Sequence, residues 1–374
     1  TNTSVNNNTA FRYSSLTANT TSTNNTAVGS AALDANTTAS YNSALGYNAL
    51  GANTTGSVNT AVGKSALEVN TTGVNNVAVG ANALDANTTA SNNTAVGYET
   101  VGGNTTGSAN VGIGPYAAYL NTTGTNNITI GYNALYNNTT ASNNTAVGYE
   151  ALFDNTTGSK GTALGYQSQR YANNTTTAFD NSNVSVGYLS LRGSSTPANN
   201  TGNSNTAVGY QTMLYNTSGS ENTANGVNAL HHNNTGSSNT ANGGYALFLN
   251  TSGTSNTANG LNALRLNTTG TDNTANGSNA IYNNTTGSNN AANGRSALSN
   301  NTTGSNNTAN GAYALRSNTT ASNNVAVGKD AAFSNTTGTQ NVAVGKAALA
   351  ANTTGNNNTA LGYQSLDANT TGGS

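Results

Sequence analysis

Cysteine is absent from the 374 residues, which removes a disulfide framework, a thiolate metal site and a cysteine nucleophile, and leaves the compartment open. Charge is scarce as well: Lys and Arg number 10 and Asp and Glu 11, only 6% of the chain, for a net charge of −1. That balance offers no electrostatic footprint for nucleic acid or an anionic membrane. No apolar run approaches the roughly 18 residues of a membrane-crossing helix. No signal peptide is visible, so an exported protein would be represented here by its mature form or a fragment. Catalytic raw material is thin. The only histidines, His231 and His232, are neighbours without nearby acids and read as surface residues. No HExxH, P-loop or EF-hand pattern occurs. A nucleophile with a base in reach has no candidate, so neither an enzyme nor a cofactor is expected.

What the chain has is a period. The glycine ending an Asn-Thr-Ala-Val-Gly motif falls at Gly29, Gly46, Gly63, Gly80, Gly97, Gly114, Gly131, Gly148 and Gly165, each 17 residues after the last. Two steps of 22 lead to Gly187 and Gly209, and steps of 17 resume through Gly226 and Gly243 to Gly362. With Arg12 at the equivalent place in the first copy there are 21 units, and Asn2–Asn7 reads as the tail of a preceding one. A fixed period of this kind marks a solenoid or an array. Seventeen residues cannot hold a helix pair, which needs roughly 33. Alternation in the motif, with Gly and Asn as punctuation and no 3.6-residue stripe, points to strands. The fold class expected is therefore all-β: a β-solenoid, parallel β-roll or β-helix, of 21 coils, two of them 22 residues long. At about 4.8 Å per coil it would form a single elongated domain over 1–374, roughly 100 Å long. Stacking would supply the core that no coil has alone.

Numbering each unit 1 to 17 from Asn-Thr-Ala-Val-Gly assigns roles. Position 5 is a glycine corner (Gly29, Gly63, Gly97, Gly131, Gly165, Gly209, Gly243), needing either a positive φ or very close packing. Position 15 is Gly but becomes Ala at Ala39, Ala90, Ala141 and Ala321, so there small size matters more than a left-handed backbone. Positions 2 and 4 share one strand face and position 3, nearly always Ala, lies on the other. Leu at position 9, beside Ala at position 8, is the leading core candidate. Position 12 is Asn in nearly every unit. Asn19, Asn36 and Asn53 read either as N-glycosylation sequons or as rungs of an Asn ladder whose amides bond along the axis. A glycan on every rung is too crowded at about 4.8 Å spacing.

Three departures from the repeat are candidate sites. The coils Gly161–Ser182 and Asn183–Ser204 carry five extra residues each and hold Arg170, Tyr171, Phe179, Asp180, Arg192 and Pro197; such inserts bulge as loops, often on a binding face. Position 6 is Tyr five times running, at Tyr132, Tyr149, Tyr166, Tyr188 and Tyr210, a ladder suited to sugar stacking, to subunit contact or to self-stacking. Position 4 switches from Val to Asn at Asn225, Asn242, Asn259, Asn276, Asn293 and Asn310. Either that stretch meets different surroundings, or the Asn-Gly corner has another turn type in repeats descended from one recent duplication. One carboxylate pair, Glu68 and Asp85, stands at position 10 of consecutive coils, with no cleft around it.

Asn59-Thr60-Ala61-Val62-Gly63 and Asn205-Thr206-Ala207-Val208-Gly209 resemble the head repeats of trimeric autotransporter adhesins, whose units build a left-handed parallel β-roll. The NTAVGYxAL…NTTG form also looks like repeats of phage tail-fibre and bacterial surface proteins. The resemblance implies a cell-surface or extracellular structural or adhesive role. The expected partners are further copies of the chain, stacked end to end or side by side, and a surface glycan. There are two alternatives: ice binding on regular Thr rows (Thr60, Thr94, Thr145 and the Thr pair after Asn), although Val77, Val111, Ile128, Val325 and Val342 interrupt position 2, and a glycan-binding receptor fibre that uses the Tyr ladder and the insert loops.

Overall fold

Each coil contributes one three-residue strand because only the Thr-Ala-Val segment alternates. The computed structural model describes residues 7–172 and 174–373; the expected repeat tail at Asn2–Asn7 lies, apart from Asn7, outside them. Among the described residues 21 three-residue strands occur, from Thr9–Phe11 and Thr26–Val28 through Thr60–Val62, Thr162–Leu164 and Val184–Val186 to Thr359–Leu361. The only helix among them is a 3-10 turn, Pro197–Asn199. The protein is a parallel β-solenoid with a 17-residue coil. Contacts divide the chain into two compact units, Thr1–Asn183 with Ser195–Ala198, and Val184–Ser194 with Asn199–Ser374.

Within each unit every strand pairs parallel with the next in strict register. In the first unit Thr60, Ala61 and Val62 face Val77, Ala78 and Val79. In the second Thr223, Ala224 and Asn225 face Thr240, Ala241 and Asn242. The Val184–Val186 strand keeps that register across its 22-residue coil, facing Thr206–Val208. The five extra residues therefore leave the ladder unshifted.

The core is one Ala-Ala-Leu layer per coil. Ala61, Ala66 and Leu67 are completely buried, and the same three positions recur through both units. Ala at position 3 points in, so positions 2 and 4 point out. The turn that carries position 9 holds a feature that composition does not announce. Ser65, Leu67 and Asn75 have φ of 57°, 52° and 59°, and among the described residues positions 7 and 9 and the last position of each coil are left-handed. A non-glycine residue there costs about 1–2 kcal/mol. Burying the Leu side chain returns about 1.5–3 kcal/mol. The backbone is satisfied too: Leu67 N–H donates to Ala83 O at 3.0 Å and Asn70 N–H to Leu67 O at 3.2 Å.

Two buried asparagine columns close and stack the coils. Asn59 Nδ2 donates to Gly73 O at 2.8 Å, joining the start of a coil to its end. Its Oδ1 accepts from the backbone N–H of Asn76 in the next coil at 2.9 Å. Asn70 Nδ2 donates to Asn53 Oδ1 at 2.9 Å and to Gly73 O at 3.1 Å. Burying so much amide is affordable only because these groups are bonded. The columns falter at the long coils, where Gly161 replaces the first Asn and Ala172 the second. There Asn144 Nδ2 and Asn155 Oδ1 are buried without a partner.

Both expectations for the position-5 glycines hold together. Gly243 has φ +134°, and a Cβ on it would lie 2.6 Å from Gly260 O. Position 15 has no left-handed backbone, and Ala39, Ala90, Ala141 and Ala321 sit there buried.

Candidate functional site

The position-6 tyrosines follow the glycine corner and stand in the open. Tyr132, Tyr149 and Tyr166 in the first unit and Tyr188 and Tyr210 in the second are all more than two-fifths exposed. Rung spacing forces their rings face to face. The Tyr132–Tyr149, Tyr149–Tyr166 and Tyr188–Tyr210 centroids are 5.6, 5.1 and 5.4 Å apart, with planes within 13°. Tyr116 closes the lower face of Tyr132 edge-on at 6.1 Å. Within each unit the faces between stacked partners are covered by other rings, and these rings present their edges and hydroxyls outward. A platform for stacking sugars needs free faces, and the faces between stacked partners are not free.

A second aromatic column, at position 10, escaped the sequence reading. Tyr119, Tyr136 and Phe153 stack at 5.4 Å intervals. The Arg170 guanidinium lies 5.2 Å over Phe153 and 4.5 Å over Tyr171, and pairs with Glu150. Gln167 Nε2 also donates to Glu150 Oε2, at 2.9 Å. Tyr116, Tyr132, Asn133, Tyr136 and Phe153 line a cleft of about 370 Å³ between the two columns. The missed signal was positions 6, 7 and 10 converging, which requires knowing that positions 7 and 9 turn left-handed.

The insert residues are tied down. Phe179–Asp180 forms a two-residue strand beside Gly158–Ser159, and Asp180 meets Lys160 at 2.7 Å. In the second insert Asn200 clasps Ser194 through its N–H at 3.0 Å and its carbonyl at 2.8 Å. Arg192 lies 5.9 Å over the Tyr215 ring. These contacts fix Phe179 and Asp180 within the first unit and Arg192, Ser194 and Asn200 within the second.

On the strand face, position 4 of the first unit is aliphatic over eight successive rungs, from Leu45 to Leu164. Leu45, Val96, Ile113, Ile130 and Leu164 are exposed, as are Tyr47, Tyr98, Tyr132, Tyr149 and Tyr166 beside them. Lys64 is the only charge in positions 2, 4 and 6 of those rungs. In the second unit the Asn block replaces this column, and its amides chain along the axis: Asn242 to Asn259 at 2.9 Å, Asn259 to Asn276 and Asn276 to Asn293 at 2.8 Å. The altered-turn explanation fails. The glycines after these Asn keep φ between 132° and 142°, overlapping the 128–145° at most Val, Leu and Ile corners. Beside the Asn column, Thr206, Thr223, Thr240, Thr257 and Thr274 form an unbroken outward row at position 2.

Other expectations change. Asn36 and Asn53 are fully buried with their Nδ2 atoms engaged, so a folded coil offers neither nitrogen for glycosylation; Asn19, near the first coil, is half-buried. The Thr after these Asn does not face water with a free hydroxyl: Thr71 Oγ1 donates to Thr88 O at 3.0 Å. His231 is buried, contrary to its surface reading, because Phe248 stacks on it at 5.1 Å and Tyr215 meets it edge-on at 5.2 Å. Burial, with His232 and Arg192 nearby, lowers its pKa to about 4. Asp85 is pushed above the usual carboxylate range, chiefly by burial, with Glu99 and Glu68 adding to it. Asn48 donates to Glu68 at 2.7 Å.

Among the described residues no group of three or more His, Asp or Glu could hold a metal ion, and no helix is long and apolar enough to cross a membrane. Comparison of the chain with protein-family models, with curated proteins and with solved structures returns no match.

Proposed function

We propose that this chain is a non-catalytic structural and adhesive solenoid of an extracellular fibre, and that its copies associate side by side through the outer strand face of the first unit. The observation that carries the reading is the exposed aliphatic column from Leu45 to Leu164 with its flanking tyrosines. An exposed apolar patch of this extent marks an interaction surface. Its occupant must match a repeat of about 4.8 Å over many rungs. A second copy does so by construction, and a face with a single lysine raises no charge barrier against itself. Ten Lys and Arg in 374 residues also leave few cleavage points for trypsin-like proteases, which suits an exposed location. The test is Ile130→Lys with Val96→Lys in the intact chain. Sedimentation and electron microscopy should show wild type as lateral assemblies and the double variant as single particles. Wild type that stays monomeric at high concentration refutes the reading.

Ice or ordered-water binding is favoured by a separate observation in the second unit. Among the described residues no acceptor engages the hydroxyls of Thr223, Thr240 and Thr257, and the amides of Asn242, Asn259 and Asn276 beside them are bonded in a chain. Thermal hysteresis that disappears in Thr240→Tyr would support this second reading, and its absence from wild type would remove it.

A further inference from the structure

Position 10 of the second unit builds a stack in which rings and guanidinium groups alternate, and the stack has a gap. Arg265 lies 5.7 Å from both the Phe248 and the Tyr282 ring and donates to the Tyr282 hydroxyl at 2.8 Å. Further along, Arg316 lies 5.5 Å over Phe333. Between Tyr282 and Arg316 the rung carries only Ser299, a buried hydroxymethyl group. The missing side chain leaves a cleft of about 350 Å³ with Tyr282 on one wall and Arg316 on the other.

From this vacancy we infer a binding slot for one pyranose ring of a neutral carbohydrate. Two rungs separate the walls, about 10 Å on the parallel-strand spacing. A flat aromatic guest held at contact distances of about 3.5–4.0 Å from each wall needs only about 7–8 Å. The remaining thickness, about 2 Å on the same contact distances, matches a puckered saturated ring with axial hydrogens. One face of such a ring would lie on Tyr282, and its hydroxyls would meet the Arg316 guanidinium. The rim is amide. Asn279 Oδ1 accepts from Asn262 at 3.1 Å, which leaves its Nδ2 to donate, and Asn283 bonds Asn300 at 3.3 Å, leaving the Asn300 Nδ2. An apolar wall with a few convergent polar groups is the ordinary composition of a small-molecule site. No carboxylate lines the cleft. The equivalent gap at Ala350, walled by Phe333 and Asp367 and flanked by Asp330, is acidic and differs in kind. The slot is independent of the lateral face, which lies in the other unit.

The test is saturation-transfer NMR and calorimetry on the full chain, with methyl glucoside, methyl galactoside and N-acetylglucosamine oligomers as probes. At least one should bind saturably in the millimolar range. Ser299→Tyr fills the vacancy by continuing the stack and should weaken binding about tenfold or more. Tyr282→Ala should do the same, and Thr72→Ala, in the first unit, should change nothing. Circular dichroism of Ser299→Tyr checks that the coil persists. Absence of saturable binding by every sugar, full binding by a folded Ser299→Tyr, or indole binding more tightly than any sugar would each overturn the assignment.

Discussion

Replacing Asn70 with alanine isolates the contribution of one rung of the buried amide column. The wild-type side chain donates to Asn53 Oδ1 at 2.9 Å and Gly73 O at 3.1 Å, and accepts from Asn87 Nδ2 at 2.9 Å. Two of the three partners have a second bond: Gly73 O keeps Asn59 Nδ2 at 2.8 Å, and Asn87 Nδ2 keeps Ala90 O at 3.1 Å. Asn53 Oδ1 is the group left bare. One orphaned buried acceptor costs about 1–3 kcal/mol, and with the other lost bonds the total is about 2–4 kcal/mol. Stability in a linear array is a sum of local and nearest-neighbour terms, so the loss should appear locally. Hydrogen exchange in peptides spanning Asn53–Ala90 should accelerate about 30-fold to 1,000-fold, the same energy read as an equilibrium constant. Thr72→Ala, on an exposed side chain two residues away, should stay within about 0.5 kcal/mol of wild type. If Asn70→Ala and Thr72→Ala exchange alike, the amide column is not what holds adjacent coils together.

Gly243→Ala puts a side chain on a backbone at φ +134°, and thermal unfolding should show a loss of at least about 1–3 kcal/mol, the range for strain at such a site; Gly253→Ala meets Gly270 O as closely, but its backbone is not left-handed and Ala321 occurs naturally at that position, so it should cost less. His231 has a folded pKa of about 4 against an ordinary 6.5, so the unfolded chain takes up more protons in that window. Stability should therefore fall as pH drops from 6.5 to 4, more steeply in wild type than in His231→Leu in parallel melts, and equal slopes would refute this. Arg170→Met breaks the half-buried pair with Glu150 and should lower stability by about 1.5–3 kcal/mol in chemical denaturation, the range for a charged hydrogen bond; an unchanged midpoint would make the pair incidental.

Periodicity carried the architecture. Seventeen-residue spacing, alternation across Thr-Ala-Val and Leu at position 9 were enough to place the parallel register and the leucine column, because a repeat repeats its contacts, whereas burial decided which strand face turns inward. The Asn columns were legible as one of two readings, since Asn-Thr-Thr spells a sequon and a ladder in the same letters. Burial of Asn36 and Asn53 separated them, and burial depends on where the neighbouring coil lies. Tertiary structure alone decided the rest. Left-handed turns at Ser65 and Leu67 bring positions 6, 7 and 10 together, so Tyr119, Tyr136 and Phe153 join the tyrosine ladder as a second wall. The same turns pack His231 between Tyr215 and Phe248 and open a slot at Ser299. The outer strand face was visible as a change of letters from Val to Asn, and the glycine corners keep the same backbone on both sides of that change. A linear chain encodes which residues recur; which recurrent residues touch is set by backbone angles that only packing between coils selects.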